Sequence, residues 1–188
     1  MNWVIDSECK KITQGTILEG VDFGQEENPL CIVLSNACDF ENDKLGYVTV
    51  AVLVPASDTL LETREVSSII EDIKEGKPTK KQKDSLRRIC EDKICNKTIG
   101  RYYYFDPSPV LSAPAFFVDF QNVVSLVLKE FSESVGQGII SPIGQLAHPF
   151  VEQMMSHYAS YIGRVPSDRP SEGEMRDLIN ALVPLGIA

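Results

Sequence analysis

The sequence lacks several features that would assign it to a functional class directly. No stretch approaches the roughly eighteen consecutive apolar residues of a membrane-spanning helix, and residues 1–6 show no basic start followed by an apolar run. The five cysteines are odd in number, irregularly spaced and without paired Cys-x-x-Cys knuckles, which favours reduced thiols and no metal site. We therefore expect a cytoplasmic protein that contacts no membrane and uses no small-molecule cofactor.

Basic residues are too few for a general affinity for nucleic acid. The chain carries 18 Lys and Arg against 27 Asp and Glu, a formal net charge of -9, which disfavours nonspecific binding to polyanions. The charges are unevenly distributed, because residues 62–101 hold 11 basic and 8 acidic residues and the rest of the chain holds 7 and 19. We expect a basic surface on an otherwise acidic protein.

The composition is that of a globular domain with its own core. The 188 residues are 43% hydrophobic and 24% charged, which predicts one domain over residues 1–188. Short segments rich in apolar and β-branched residues, separated by turn formers, predict strands. These barrel strands fall within residues 12–55 and 101–128, at 15–21, 30–34, 47–54, 101–105, 115–120 and 123–128.

Helical signals interrupt the strands between residues 57 and 100. Thr59 with Glu62, and Thr79 with Gln82, have the spacing of capping boxes, and an apolar stripe follows each of them. This pattern predicts a helical hairpin inserted between the strands.

Helical signals return near the C-terminus. Pro149 suits the first turn of a helix that runs to Gly163, and a second helix is predicted from Ser171. With C-terminal helices assigned to residues 143–188, the predicted fold class is α+β: a twisted antiparallel β-barrel with an inserted helical hairpin.

Three segments near the N-terminus carry a family resemblance. They are Gly15-Thr16-Ile17, the step Asn28-Pro29 into a strand that ends in Ser35-Asn36, and the Val-rich strand at 48–54. This order resembles the MazF/PemK toxin family, over roughly the first third of the chain. The resemblance implies a small PemK-like barrel related to the Src-homology-three fold.

The same resemblance implies a chemistry and a departure from it. Family members that cut single-stranded RNA without a metal are expected to use an Arg before the Pro and a Ser or Thr after the third strand. Here Asn28 stands at the Arg position, so the guanidinium that would stabilise phosphorane charge is missing, and Ser57 is the candidate hydroxyl.

A second likeness involves the strand end Ser35-Asn36-Ala37-Cys38-Asp39. It resembles uncharacterised bacterial proteins that place an apolar strand before a Cys-Asp pair and often end in a helix with a pattern like Leu146, Pro149 and Tyr161 to Arg164. This likeness implies no activity.

Cys38 and Asp39 form a candidate thiol site. The pair would work as a nucleophile with an orienting carboxylate if His148 or His157 approached it in the fold. In the alternative interpretation Cys38 is a small buried apolar side chain and Asp39 caps the turn.

Two further groups are candidates for binding. In the strand Tyr102–Phe105 alternate aromatics face opposite ways, so Tyr102 and Tyr104 either line a groove or pack against the C-terminal helix. The hairpin tip has no aromatic among its basic residues, which disfavours stacking on bases and leaves an acidic partner, nucleic acid or simple solvation. The basic candidates are Lys77, Lys80, Lys81, Lys83 and Arg87.

Three functions are compatible with these patterns. The first is a non-catalytic binding or regulatory module of a bacterial multi-component system, of the toxin–antitoxin or defence type, that binds a protein partner or a second copy. The second is a PemK-like endoribonuclease that acts on RNA with altered residues, for which Ser35, Ser57 and Arg101 are the candidates. The third is a thiol-dependent enzyme that uses Cys38.

Overall fold

The structure, a computed structural model, has an α+β fold with a seven-stranded antiparallel sheet that curls into a half-barrel. It describes residues 3–6, 11–24, 28–42, 44–74, 78–97, 100–107, 111 and 113–163. The described elements, in chain order, are β1 (Val4–Asp6), β2 (Thr16–Glu19), β3 (Cys31–Val33), α1 (Ala37–Glu41), β4 (Tyr47–Pro55), α2 (Ala56–Leu61), α3 (Arg64–Lys74), α4 (Lys80–Ile94), β5 (Tyr102–Phe105), β6 (Phe116–Val127), α5 (Leu128–Gly136), β7 (Ser141–Leu146) and α6 (Phe150–Ile162).

The strands follow the order β1-β7-β2-β3-β4-β6-β5, and every neighbouring pair is antiparallel. Strands β2, β3 and β4 are consecutive both in the chain and in the sheet, which confirms the strands predicted between residues 12 and 55. The longest pairing joins β4 to β6, from Tyr47 opposite Val127 to Pro55 opposite Phe116.

The centre of the sheet is buried on both faces. Ile32 belongs to the cluster under α6, whereas Cys31 and Val33 belong to the cluster under α5, and all three are fully buried. Because successive side chains of a strand point to opposite faces, the two clusters lie on the two sides of the sheet. Helix α6 contributes Phe150 and Met154 to the first cluster. Double burial explains why β3 and β4 are almost continuously apolar.

Strand β6 contains a bulge. Asp119 pairs with Val52 and Val123 pairs with Ala51, so residues 120–122 have no partner on β4. The two strands predicted at 115–120 and 123–128 are therefore two parts of one strand. On its other side, β6 pairs with β5 over Phe116–Asp119.

Between β4 and β5 the described residues form three helices, α2, α3 and α4, rather than a simple hairpin. The capping box of Thr79 and Gln82 is confirmed at the start of α4. The one predicted at Thr59 is wrong, because Thr59 lies inside α2 and its hydroxyl donates to the Pro55 carbonyl at 3.2 Å. None of the helices in the described part of the chain has the length and apolarity to cross a membrane.

The prediction of helices from residue 143 onward is wrong at its start, because residues 141–146 form β7. Pro142 and Gly144 weaken the local strand signal, and the hydrogen bonds come from the distant strands β1 and β2. Helix α6 confirms the helix predicted from Pro149 to Gly163. Strand β1 and helix α5 are not predicted by the sequence patterns, and the helix predicted from Ser171 lies outside the described residues.

Gly20 and Gly24 both follow β2 but differ in how closely other atoms approach them. Both have positive φ, +82° and +69°, but a Cβ on Gly20 would lie 1.9 Å from the Ile139 carbonyl oxygen, whereas one on Gly24 would meet nothing within 4 Å. We expect Gly24→Ala to lower the free energy of unfolding by about 1 kcal/mol and Gly20→Ala by ~4 kcal/mol. Chemical denaturation measures both, and equal losses would contradict the close approach to Ile139.

Candidate functional site

A buried carboxylate organises the chain where the bulge of β6 meets the start of β5. The side chain of Asp119 is 1% exposed. Its Oδ1 accepts from Arg101 Nε at 2.6 Å and from the Gln121 backbone N–H at 3.0 Å, and its Oδ2 accepts from Arg101 Nη2 at 2.5 Å and from Asn122 Nδ2 at 2.7 Å. These four donors satisfy a charge that would be very unfavourable to bury alone.

Arg101 is held by this carboxylate and still reaches solvent. Its side chain is 38% exposed, and its Cζ lies 4.8 Å from the ring centroid of Tyr102. The hydrogen bond to Asp119 is the main cause that raises the pKa of Arg101 above its ordinary value. The guanidinium is therefore charged and fixed in orientation. Because Nε and Nη2 bond to Asp119, Nη1 is the nitrogen that this carboxylate leaves for a further acceptor.

A small pocket opens beside this guanidinium. It has a volume of about 110 Å³ and is lined by Asp92, Lys93, Gly100, Arg101, Tyr102 and Phe117, which together we call the Arg101 pocket. Lys93 adds a second cation from α4. The Gly100 backbone N–H donates to His157 Nε2 at 3.1 Å, which ties the start of β5 to α6. Asp92 brings a carboxylate to the same pocket, and its Oδ1 pairs with Lys97 Nζ at 3.6 Å. Lys93 and Arg101 therefore remain as the cations that suit a carboxylate or another small oxyanion.

One face of α4 leads to this pocket. A larger surface cavity of about 680 Å³ is lined by Lys80, Lys81, Asp84, Ser85 and Arg88, which we call the α4 surface. A spacing of four residues makes positions 80, 84, 88 and 92 successive neighbours along a helix, and Asp92 lines the Arg101 pocket. The α4 surface and the pocket thus lie on the same helix, along a strip that extends about 18 Å from Lys80 to Asp92 and turns about 120° round the helix axis.

The other basic candidates lie elsewhere. Arg87 Nε pairs with Glu91 Oε1 at 2.6 Å, and neither Arg87 nor Lys83 lines the α4 surface. Lys77 lies outside the described residues.

Tyr102 and Tyr104, the two aromatic residues selected from the sequence, have different roles in the structure. Tyr103 and Phe105 are buried, and Tyr102 and Tyr104 are half-buried on the opposite face. Tyr102 lines the Arg101 pocket. Tyr104 contacts the rings of Trp3 and Phe117 at 6.0 and 5.6 Å between centroids. Its backbone N–H donates to Asn96 Oδ1 and its carbonyl accepts from Asn96 Nδ2, so Tyr104 has a structural role.

The two candidate serines are not brought together. Ser35 Oγ accepts from the Thr49 backbone N–H at 2.8 Å, near the start of β4, whereas Ser57 follows the last residue of β4, Pro55. Thr49 and Pro55 are about 20 Å apart along an extended strand. Ser35 and Ser57 therefore cannot act in one site.

Asn28 and Ser57 do share one end of the sheet. The Leu53 backbone N–H donates to the Leu30 carbonyl at 2.8 Å, so the chain before Leu30 runs beside the end of β4. Both residues are exposed, and Ser57 Oγ donates to Asp58 Oδ1 at 2.9 Å.

Cys38 is exposed, in contrast to the buried side chain expected in the structural interpretation. It lies in the first turn of α1, and the capping residue is Asn36, whose Oδ1 accepts from the Cys38 backbone N–H at 3.0 Å. Asp39 follows in the same turn and is not the cap.

Neither histidine is placed to serve Cys38. His157 contacts the rings of Tyr103 and Phe120 on the α6 side of the sheet, whereas Phe40 of α1 packs on the α5 side. The sheet lies between His157 and α1. His148 pairs with Glu152 in the first turn of α6. In the described part of the chain, no cluster of three His, Cys, Asp or Glu side chains is placed to hold a metal ion.

Asp119 and Lys93 belong to the site but are not among the residues selected from the sequence. The sequence does indicate a role for Asp119, because it is the one charged residue in the apolar run Phe116 to Phe120, and a charge in a buried strand requires a partner. No sequence pattern indicates a role for Lys93, since its position depends on how α4 packs beside β5.

Comparison with models of known families, with curated proteins and with solved structures returns no match.

The pairing of Arg101 with Asp119 can be tested with a double-mutant cycle. Arg101→Met removes two of the four donors to a buried carboxylate, and we expect it to lower the free energy of unfolding by ~2 kcal/mol. Adding Asp119→Asn to this variant removes the uncompensated charge and should restore part of the loss. Denaturation of the wild type, both single variants and the double variant measures the coupling, and additive losses would contradict it.

Thiol labelling tests the accessibility and reactivity of Cys38. Burial raises the pKa of Cys31 to about 12, so we expect an alkylating probe at neutral pH to label exposed Cys38 and Cys95 and to spare Cys31. Peptide mass mapping over time gives each rate. A rate for Cys38 close to that of Cys95 identifies an ordinary surface thiol, and a much faster rate would revive the thiol-dependent enzyme.

Proposed function

We propose that the protein is a non-catalytic binding module that recognises an acidic segment of a protein partner. The observation that supports this function is that one helix, α4, contributes both the α4 surface and two residues of the Arg101 pocket, Asp92 and Lys93. The α4 surface offers three cations, Lys80, Lys81 and Arg88, and one anion, Asp84. The pocket beside α4 holds the Arg101 guanidinium, which Asp119 fixes and which is partly exposed to solvent.

The pocket favours binding over catalysis. None of the residues that line it in the described part of the chain is a serine, cysteine or histidine. Burial raises the pKa of Tyr102, so its phenol is neutral near pH 7 and is a poor nucleophile. Arg101, with its pKa raised, serves as a fixed cation rather than as an acid or base.

An acidic peptide fits this strip better than a nucleic acid strand. The α4 surface carries no aromatic side chain on which a base could stack. Arg101 covers one side of the Tyr102 ring, and Asp84 interrupts the row of cations, which disfavours a chain with a phosphate at every step. A peptide can place carboxylates opposite the cations and a donor opposite Asp84.

The setting that we propose is a bacterial multi-component system of the toxin–antitoxin or defence type, with a barrel of the PemK-like kind. The antiparallel series β2-β3-β4 supports the resemblance, since it carries the three segments on which the resemblance rests. The Asn at position 28 supports loss of the family's RNA cleavage.

A PemK-like endoribonuclease is the second candidate. It is favoured by the shared position of Asn28 and Ser57 at one end of the sheet, where the family's Arg and hydroxyl would be expected to meet. Ser57 would then act without the guanidinium.

Charge reversal on two sides of α4 tests the binding function. Fluorescence anisotropy would follow a labelled poly-glutamate peptide at low and moderate salt. We expect Arg88→Glu to weaken binding about fivefold or more, with a reduced dependence on salt, because it removes a cation from the α4 surface. Lys83→Glu makes the same change of charge away from that surface and should leave the affinity nearly unchanged.

Equal effects of the two charge reversals would show that peptide binding depends only on the net charge of the protein, and would contradict a defined site.

The same assay with mixed-sequence single-stranded RNA, followed by electrophoresis of the recovered RNA, tests the second candidate function, the endoribonuclease. Intact RNA is expected. Cleavage that Ser57→Ala abolishes would replace the binding module with the endoribonuclease.

A further inference from the structure

Among the described residues, the second half of β6 forms an open edge of the sheet. Strand β5 pairs with β6 up to Asp119, and the Phe120 backbone N–H still donates to the Arg101 carbonyl at 3.0 Å. Beyond the bulge, residues 123–127 pair with β4 on one side and with no strand of the described residues on the other. An unpaired edge of this length is a template for another strand.

The hydrogen-bond pattern shows which groups face outward. The Leu128 backbone N–H donates to the Gly46 carbonyl at 3.0 Å, so in this antiparallel ladder Leu126 and Val124 also bond to β4. The alternate residues, Val123, Ser125 and Val127, therefore direct their N–H and C=O groups away from β4. Thr49 agrees with this assignment, because its N–H and C=O bond to the β3 side, at Ser35 and Leu34.

The edge is preceded by a bulge but carries neither the charges nor the prolines that also protect open strands in natural sheets. Residues 120–128 contain no charged side chain and no proline. Val127 is 40% exposed and its neighbour on β4, Tyr47, is 61% exposed. An apolar surface thus continues from the edge onto the sheet.

The segment is also self-complementary. It reads Val123-Val124-Ser125-Leu126-Val127, an apolar pattern that is the same in both directions about Ser125. In an antiparallel pair centred on Ser125, Val123 meets Val127 of the other copy and Ser125 meets itself. No like charges oppose each other across such a pair.

We propose that residues 123–127 pair with the same residues of a second copy of this chain, in a two-fold symmetric antiparallel arrangement. The three outward residues of each copy form hydrogen-bonded pairs that exchange about six N–H···O bonds. Val127 of each copy then lies beside Val123 of the other copy. A second copy is favoured over an unrelated peptide because the apolar pattern of the segment matches itself in the antiparallel direction, and because the segment carries no charges that would repel each other.

The contact is small, so we expect a reversible dimer. A pairing of five residues buries less than the roughly 1,600 Å² of a standard protein interface. Sedimentation of the full chain over a range of concentrations should show a shift from the 20.9 kDa chain mass toward twice that mass.

Two variants test the edge without breaking the ladder to β4. Ser125→Pro removes an N–H that points outward, so the backbone hydrogen bonds between β4 and β6 are kept and edge pairing is blocked. The one bond to β4 that it removes is that of the Ser125 hydroxyl with Thr49 Oγ1, at 3.1 Å. Val127→Lys places a charge on the exposed side chain of the edge. Each should abolish the dimer, whereas Ser132→Lys, on the exposed surface of α5, should leave it intact.

Cross-linking locates the contact directly. With Cys9, Cys38 and Cys95 changed to Ser, a short bismaleimide should join Ser125→Cys in one copy to the same position in another, because paired Cα atoms lie about 5.5 Å apart. Ser132→Cys in the same background should not cross-link. A chain that stays monomeric at every concentration, or a dimer that persists in both Ser125→Pro and Val127→Lys, would overturn the proposal.

Discussion

The double-sided burial of the central strands is the constraint on which the rest of the structure depends. Cys31, Ile32 and Val33 have no exposed surface, so a helix must cover each side of β3, and α5 and α6 do so. Desolvation also makes the thiol of Cys31 inert by raising its pKa to about 12. Groups that meet ligands are consequently confined to the margins of the sheet, where the Arg101 pocket and the open edge of β6 lie.

The parts of the fold that local patterns predicted are those whose stability is local. Strand β4 and the capping box at Thr79 follow from β-branched residues and from a side-chain contact within one turn. Strand β7 contains Pro142 and Gly144, so it exists because β1 and β2 lie on its two sides, more than a hundred residues away in the chain. Helix α5 could have been found, since Leu128, Phe131 and Val135 have helical spacing, but it follows β6 without a turn signal.

Only part of the candidate site can be predicted from local sequence patterns. Arg101 and Tyr102 were selected from the sequence and lie in contact. The carboxylate that orients Arg101 comes from β6, which brings Asp119 opposite Tyr102, and Lys93 comes from a helix that contacts β5. Such pairings depend on register and on helix packing, neither of which is encoded within a short window of sequence. The separation of Ser35 from Ser57 by the length of β4 is likewise a consequence of topology.

The bonds of Asp119 join two regions that are otherwise distinct. One carboxylate holds Arg101 for the pocket and also holds Gln121 and Asn122, which lead directly into Val123 at the start of the open edge. An anion bound in the proposed pocket would share the Arg101 guanidinium with the carboxylate whose other bonds shape the bulge. If that sharing changes the proposed pairing at the edge, thermodynamic linkage requires the pairing to change the anion affinity by the same factor. A single buried side chain thus connects the two margins of the sheet to which we assign binding.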